Sequence, residues 1–145
     1  MTNSSPLKLL IFGGSGVLGT AIAEKFKTHN YKVTYGVRSV TNPVDQFLLP
    51  VTDGPVPELL KGELFDAVVF AQGANNNDSV INHEPDELTR LFQANVSFIT
   101  DTTKALMQHN LIKQKGKIVI LSSFWEQITR QEKMSYTITK AAVGG

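Results

Sequence analysis

The sequence contains no cysteine, so neither a disulfide bond nor a thiolate metal site can form from these residues. It also has no long hydrophobic run, because its apolar segments are strand-sized and fall well short of the roughly 20 residues that span a bilayer. An excess of one charge is absent too, since 14 basic residues stand against 13 acidic ones. These scattered charges indicate neither a nucleic-acid nor a membrane partner.

The composition is that of an ordinary globular protein. A chain of 145 residues with 41% hydrophobic residues has room for one core, so we expect a single domain over residues 1–145. The N-terminus lacks the basic-then-apolar pattern of a secretory signal, and we therefore expect a cytoplasmic location. The histidines, His29, His83 and His109, have no second ligand at a suitable spacing, so we expect no metal.

Short apolar segments, rich in β-branched residues, predict buried strands. They are Leu7 to Phe12, Lys32 to Val37, Phe47 to Val51, Asp66 to Ala71 and Lys117 to Leu121. Between several of these strands, apolar residues recur at the spacing of one helix face, which predicts amphipathic helices. One amphipathic stripe consists of Val17, Leu18, Ala21, Ile22 and Phe26. Alternating strands and helices predict a parallel sheet covered on both faces.

A longer helix is predicted to begin near Pro85 and to run past Leu106 before it ends ahead of Gly116. Between Arg38 and Phe47 the segment "SVTNPVDQ" is too short for a full crossover helix, so that connection is expected to be open. A last helix begins near Ser135 and stops at the end of the sequence after barely three turns. We expect this helix to be interrupted.

The segment "FGGSGVLG" places glycines where the first strand must turn into a helix. Read as Gly13-x-x-Gly16-x-x-Gly19, it lets the backbone turn tightly and lets a pyrophosphate approach the free N–H groups of the helix. A plain tight turn with close packing between helix and strand is the alternative.

The end of the second strand bears on the choice of cofactor. NAD sites usually hold the ribose hydroxyls with an acidic residue at this position, whereas a 2′-phosphate needs a cation. Here the strand ends "TYGVRS", with Val37 at the acidic position and Arg38 beside it. This favours NADP over NAD, unless Arg38 is an ordinary solvated arginine.

Tyr136 and Lys140 are four residues apart in "SYTITK", so on a helix both side chains share a face. They follow the apolar segment "GKIVILSSFW", which ends in Ser122 and Ser123. A lone Tyr-x-x-x-Lys is weak evidence, and its position after a dinucleotide-binding pattern gives it weight. The alternatives are serines that merely end a strand and a solvated lysine.

With these motifs the chain resembles the short-chain dehydrogenase/reductase family over nearly its whole length. "GGSGVLG" is similar to the glycine-rich turn in its extended and divergent branches, and "VVFAQGA" at 68–74 keeps only Gly73 of the Asn-Asn-Ala-Gly motif. "FQANV" supplies Asn95, "ILSS" supplies Ser123, and "YTITK" is the Tyr-x-x-x-Lys motif. Without the resemblance, Asn95 would be interpreted as a buried amide with satisfied hydrogen bonds.

The resemblance implies an α/β fold, a doubly wound Rossmann-type parallel sheet with strand order 3-2-1-4-5. It also implies an NADP-dependent oxidoreductase that moves hydride between the nicotinamide and a small carbonyl or alcohol. Its implied catalytic residues are Asn95, Ser123, Tyr136 and Lys140. Its implied cofactor-binding residues are Gly13, Ser15, Gly16, Val17, Leu18, Gly19, Arg38, Ser39, Val51, Ala71, Gly73, Tyr136 and Lys140.

The implied roles divide the chemistry among these side chains. Ser123 holds the substrate carbonyl, and Tyr136 exchanges the proton with the help of the positive charge of Lys140. Asn95 anchors a water that connects Lys140 to solvent. The family also pairs into homo-oligomers, here through residues 86–110 and the catalytic helix.

The sequence departs from the family pattern in two places. In "LPVTD" at 49–53, Pro50 replaces the acidic residue that meets the adenine, although Val51 can still border the ring. The strands that follow the catalytic helix in the family are missing, so we expect a truncated chain whose sheet leaves an unpaired edge and an uncovered apolar face.

Two other functions remain open. One is a module that binds NADP without turnover. The other is a nucleotide-sugar epimerase or dehydratase of the extended branch. The loop "NNND" at 75–78 lies where this fold places ligands, but asparagine and aspartate are also ordinary loop residues.

Overall fold

The strands of the molecule form one five-stranded parallel sheet with the order β3-β2-β1-β4-β5. The computed structural model describes residues 5–51 and 54–145, so Thr52 and Asp53 of the "LPVTD" segment lie outside the described residues. The strands are β1 (Leu7–Phe12), β2 (Tyr31–Val37), β3 (Gln46–Leu48), β4 (Phe65–Phe70) and β5 (Ile112–Ile120). The predicted fold class and strand order are confirmed.

The helices are α1 (Val17–Thr28), α2 (Pro85–Phe92), α3 (Phe98–Gln108) and α4 (Met134–Gly144). Residues Gln93–Ser97 form a π turn between α2 and α3, and 3-10 turns lie at Glu58–Leu60 and Phe124–Glu126. No helix lies between β2 and β3, as the short connection predicted. The described part of the chain contains no helix that is both long and apolar enough to cross a membrane.

The chain divides into two compact units. The first comprises Met1–Ala71 and Thr102–Ile120, and it contains the whole sheet and α1. The second comprises Gln72–Asp101 and Leu121–Gly145, and it contains α2, the π turn, the Phe124–Glu126 turn and α4.

The core of the first unit is built on the two central strands. Leu9, Leu10, Ile11 and Phe12 of β1 are fully buried, as is Val68 of β4. This continuous burial is typical of parallel strands that are covered on both faces. The ring of Phe12 stacks on the ring of Phe70, with centroids 5.0 Å apart. The ring of Phe47 packs edge-on against Phe12, with a centroid distance of 6.3 Å.

The helix predicted from Pro85 begins there and runs past Leu106 through α2, the π turn and α3, but the prediction that Gly116 closes it is wrong. Asn110 adopts a left-handed conformation (φ 54°) that ends α3, and Gly116 already lies within β5. Asparagine tolerates this conformation better than most residues. In α1 the predicted apolar stripe fails at its start, since Val17 is 90% exposed and the buried positions are Gly19 and Ala23.

β5 forms an edge of the sheet and pairs only with β4 in the described residues. Three successive apolar side chains of β5, Ile118, Val119 and Ile120, are each more than 40% exposed. Because successive side chains of a strand point to opposite faces, β5 is open on both faces. The expected unpaired edge with uncovered apolar surface is therefore present.

Candidate active site

The glycine turn of the first unit joins β1 to α1. Gly13 has a positive φ of 78°, and the N–H of Gly16 donates to the carbonyl oxygen of Gly13 at 3.1 Å. A Cβ on Gly19 would lie 2.1 Å from the same oxygen, which no side chain allows. Gly13 and Gly19 are therefore required by the turn itself.

No side chain caps the backbone N–H groups at the start of α1. Gly16 is the N-cap residue, it has no side chain to cap the helix, and the first turn contains no acidic residue. Free N–H groups and the helix dipole favour an anion at such a position. Ser15, Val17 and Leu18 are exposed around it. The glycines leave room at the turn, and the uncapped N–H groups of α1 can donate hydrogen bonds, so the turn fits a pyrophosphate.

The other predicted cofactor residues of the first unit lie after its strands. Arg38 and Ser39 are exposed directly after β2, and no described acidic side chain pairs with Arg38. Val51 is buried beyond β3, and the N–H of Ala71 donates to the carbonyl oxygen of Phe12 at the end of β4. Arg38 is thus available to a ligand phosphate.

The second unit contains all four predicted catalytic residues. Tyr136 and Lys140 lie one turn apart on α4, and the Lys140 ammonium is 5.9 Å from the centroid of the Tyr136 ring. Ser123 precedes the Phe124–Glu126 turn, which packs against α4. Asn95 lies in the π turn, a rare irregularity that is frequent at functional sites.

Asn95 is a buried amide whose hydrogen-bond partners are Ala74 and Thr139. Its Oδ1 accepts from the N–H of Ala74 at 2.6 Å, and its Nδ2 donates to the Ala74 carbonyl oxygen at 2.9 Å and to Thr139 Oγ1 at 3.0 Å. Thr139 Oγ1 in turn donates to the carbonyl oxygen of Tyr136 at 2.9 Å. Asn95 therefore ties the loop after β4 to the helix that carries Tyr136.

Lys140 is buried and donates from Nζ to the carbonyl oxygen of Leu121 at 2.9 Å. Burial lowers the pKa of Lys140 below its ordinary value of 10.5, and the Glu126 carboxylate opposes part of that shift. A Cβ placed on Gly73 would lie 3.7 Å from Lys140 Nζ and 3.5 Å from Asn95 Oδ1. Gly73 thus borders both groups.

The hydroxyl of Ser123 is positioned by its own turn. Its Oγ accepts from the N–H of Trp125 at 3.3 Å and caps the Phe124–Glu126 turn. Because this bond uses a lone pair, the O–H remains a donor for another group. Ser122 instead directs its hydroxyl at the carbonyl oxygen of Lys140, at 3.5 Å.

A second lysine that the sequence analysis did not single out lies beside Tyr136. This residue is Lys133, three positions before Tyr136, and its Nζ is 5.9 Å from the centroid of the Tyr136 ring. Residues three apart are neighbours on a helix, but Lys133 lies one residue before α4 begins, so spacing alone did not identify it. Within the part of the chain that the structure describes, no group of three His, Asp or Glu side chains is placed to hold a metal.

A scan against protein-family models found no match, and neither did a search of the curated proteins. Solved structures do match. A short-chain dehydrogenase family protein from Francisella tularensis has 19% identity and a TM-score of 0.77, over 95% of this chain and 60% of that one.

Two further structures match in the same way. Aldohexose dehydrogenase from Thermoplasma acidophilum has 20% identity and a TM-score of 0.78, over 95% of this chain and 57% of that one. A short-chain dehydrogenase from Streptomyces avermitilis has 26% identity and a TM-score of 0.75, over 96% and 57%. The resemblance to the short-chain dehydrogenase/reductase family is confirmed, and the chain spans about 60% of the length of these proteins.

Proposed function

We propose that this chain carries the cofactor turn and the catalytic side chains of an NADP-dependent oxidoreductase that interconverts a carbonyl and an alcohol. The observation that carries the proposal is the pairing of Tyr136 with the buried Lys140 ammonium, in the compact unit that also contains Asn95 and Ser123. The dehydrogenases that share the fold support it. When bound, the nicotinamide cofactor supplies or accepts the hydride.

The protein's own groups handle the carbonyl oxygen. Ser123 donates its free O–H to that oxygen and stabilises the charge that develops on it. In the direction of reduction, the Tyr136 phenol gives its proton to the oxygen as the carbon is reduced, and the resulting phenolate is stabilised by the Lys140 ammonium. In the direction of oxidation, Tyr136 takes the proton back.

Each part of NADP is assigned to the residues whose chemistry suits it. The glycine turn of Gly13, Gly16 and Gly19 takes the pyrophosphate, with Ser15, Val17 and Leu18 around it, and Arg38 with Ser39 takes the 2′-phosphate of NADP. Val51 borders the adenine, and Ala71, Gly73, Tyr136 and Lys140 contact the nicotinamide half. The proposed partners are a small carbonyl or alcohol and a second copy of the chain, bound through residues 86–110 and α4.

The test compares NADPH and NADH titrations, followed by nicotinamide fluorescence, in the wild-type chain and the Arg38→Met variant. Tighter binding of NADPH, with the preference lost in the variant, supports the cofactor assignment, and binding of neither nucleotide contradicts it. Exposed Lys25 on α1 supplies the matched control, Lys25→Met, which keeps the preference.

A Tyr136→Phe variant separates an enzyme from a module that only binds the cofactor. An enzyme loses at least about a thousandfold in rate, because the proton donor is removed, with NADPH affinity nearly intact. A chain that binds NADPH but shows no reduction of any ketone or aldehyde in a substrate panel, before or after the change, is a binding module.

A further inference from the structure

Arg130 is an exposed arginine whose guanidinium lies over the ring of Trp125, with Cζ 5.3 Å from the centroid of the indole. Stacking on an aromatic ring orients the planar guanidinium and leaves its N–H edges open. Within residues 5–51 and 54–145, no side-chain N–H of Arg130 donates to a protein acceptor, and no carboxylate forms an ion pair with it. Its five N–H donors are therefore open to a ligand.

The segment that carries this guanidinium is hydrogen-bonded at both ends to the proposed catalytic residues or their neighbours. At its start, the N–H of Trp125 donates to Ser123 Oγ at 3.3 Å. At its end, the hydroxyls of Thr129 and Thr137 share a hydrogen bond at 3.0 Å, and Thr137 follows Tyr136 on α4. A carbonyl held by Ser123 and Tyr136 therefore has this segment along one side.

An exposed aromatic side chain lies in the same segment. Phe124 directly follows Ser123, it is 70% exposed, and its ring packs edge-on against Trp125 with centroids 6.3 Å apart. Small-molecule sites combine apolar and aromatic surface with a few well-placed polar groups. The order of these groups, a hydroxyl, then two aromatic rings, then a guanidinium, fits a ligand with a carbonyl at one end and an anionic group at the other.

The acidic residues close to Arg130 in the chain, Glu126 and Glu132, do not occupy its guanidinium. Glu126 Oε2 is buried without a hydrogen-bond partner among the described residues, and it lies against the end of α4, 2.6 Å from where a Cβ on Gly144 would be. Its charge acts on Lys140. Glu132 is exposed. Because these charges offset that of the guanidinium, recognition by Arg130 depends on directed hydrogen bonds rather than on net charge.

We propose that the substrate is an oxo acid, a carbonyl compound that also carries a carboxylate, and that Arg130 binds the carboxylate while Ser123 and Tyr136 hold the carbonyl. This proposal rests on the proposed function. A planar guanidinium can donate two parallel hydrogen bonds to a carboxylate, and such charge-assisted bonds are stronger than neutral ones. In the reduction, the carbonyl carbon takes the hydride of NADPH and its oxygen takes the Tyr136 proton, so the product is the hydroxy acid and the carboxylate is unchanged.

The experiment uses Trp125, the one tryptophan of the sequence, as the reporter. Its fluorescence is followed while 4-oxopentanoate and 6-oxoheptanoate, two oxo acids of different length, and their methyl esters are titrated into the chain without cofactor. We expect the Kd of at least one acid to be at least about tenfold lower than that of its ester. Arg130→Met should abolish this preference. Arg130→Lys should restore part of it, because an ammonium keeps the charge without the planar fork.

Arg90→Met is the matched control. It removes an exposed arginine of the same unit that is already paired with Glu87 at 2.8 Å, and it keeps the preference for the acid. Equal affinity for acid and ester in the wild type, or a preference that persists in Arg130→Met, overturns the proposal.

Turnover separates this proposal from the proposed function. With NADPH, Arg130→Met should raise the KM of the acid but not of the ester and change kcat by less than about threefold, because Arg130 does not bind the reacting oxygen. A rise in the KM of both substrates contradicts recognition of the carboxylate. A chain that prefers the acid through Arg130 but does not bind NADPH or reduce carbonyls contradicts the proposed function and the substrate role, and it leaves Arg130 as a carboxylate-binding site.

Discussion

Asn95 and Ala74 exchange two hydrogen bonds, with the side-chain amide of one residue paired to the backbone N–H and C=O of the other. The Asn95 amide thus pairs with the backbone of Ala74 as one strand pairs with another in a sheet. It holds the loop after β4 against the π turn, and the remaining N–H of the amide reaches Thr139 on α4. One buried side chain thus connects three segments of the second unit.

The first prediction follows from that pairing. Replacing Asn95 by alanine leaves the N–H and C=O of Ala74 without their partner, and each buried unsatisfied group costs about 1–3 kcal/mol. We expect Asn95→Ala to lower the free energy of unfolding by about 3 kcal/mol in urea denaturation. Gln93→Ala, an exposed change in the same π turn, is the control and changes it by less than about 0.5 kcal/mol. Equal losses in the two variants contradict the prediction.

The second prediction concerns the glycine turn. In Gly19→Ala the added Cβ meets the backbone of Gly13 and Gly14, which cannot move aside as a side chain can. We expect a loss of about 3 kcal/mol in the free energy of unfolding and a loss of NADPH binding, since the turn must open. Gly16→Ala is the matched control for the free energy of unfolding alone, because the nearest atom to its Cβ is 3.4 Å away. A folded Gly19→Ala chain of wild-type stability would show that the turn is not tightly closed.

Several features of the fold and site could be predicted because they depend on local pattern. Buried apolar runs identified β1 and β4, and residues four apart on α4 placed Tyr136 with Lys140. The end of α3 could not be predicted from apolar spacing, because it depends on the left-handed conformation of Asn110. Val17 and Leu18 fit a helical stripe but are exposed.

The site residues that were missed depend on contacts far apart in the chain. Lys133 is joined to Asn75 and Asn77 over more than 50 residues, and nothing in a run of asparagines indicates that their oxygens will surround an ammonium. Thr139 gains its place in the same way, through Asn95. Local spacing finds pairs on one helix, whereas such clusters require the folded chain.

The third prediction uses the lowered pKa of Lys140. Between its folded-state pKa and the ordinary value of 10.5, the unfolded chain binds more protons than the folded chain, so this group makes the free energy of unfolding rise with pH. Below that window both states are protonated, and the fold carries the full penalty of the buried ammonium. In Lys140→Met the penalty is absent. As the pH approaches 10.5, the free energy of unfolding of the wild type should therefore increase relative to that of Lys140→Met.

The measurement is a series of urea denaturations of both chains from neutral pH upwards. Lys25→Met, a change of an exposed lysine on α1, is the control and keeps a constant difference from the wild type. A difference between wild type and Lys140→Met that stays constant or moves the other way would show that burial does not lower the pKa of Lys140.

The last prediction concerns the open edge at β5. An edge strand with exposed apolar residues offers unpaired backbone groups and hydrophobic surface to a second chain. We expect β5 to add a second contact between chains to the one proposed through residues 86–110 and α4, so that the 145-residue chain associates further as its concentration rises. Val119→Lys should weaken this further association at least about tenfold, because a charged side chain on an edge strand opposes pairing. Sedimentation velocity over a range of concentrations measures this. Val80→Lys removes an equally apolar, exposed side chain from a loop outside the sheet and leaves association unchanged. If Val119→Lys associates like the wild type, the contact between chains lies elsewhere than on β5.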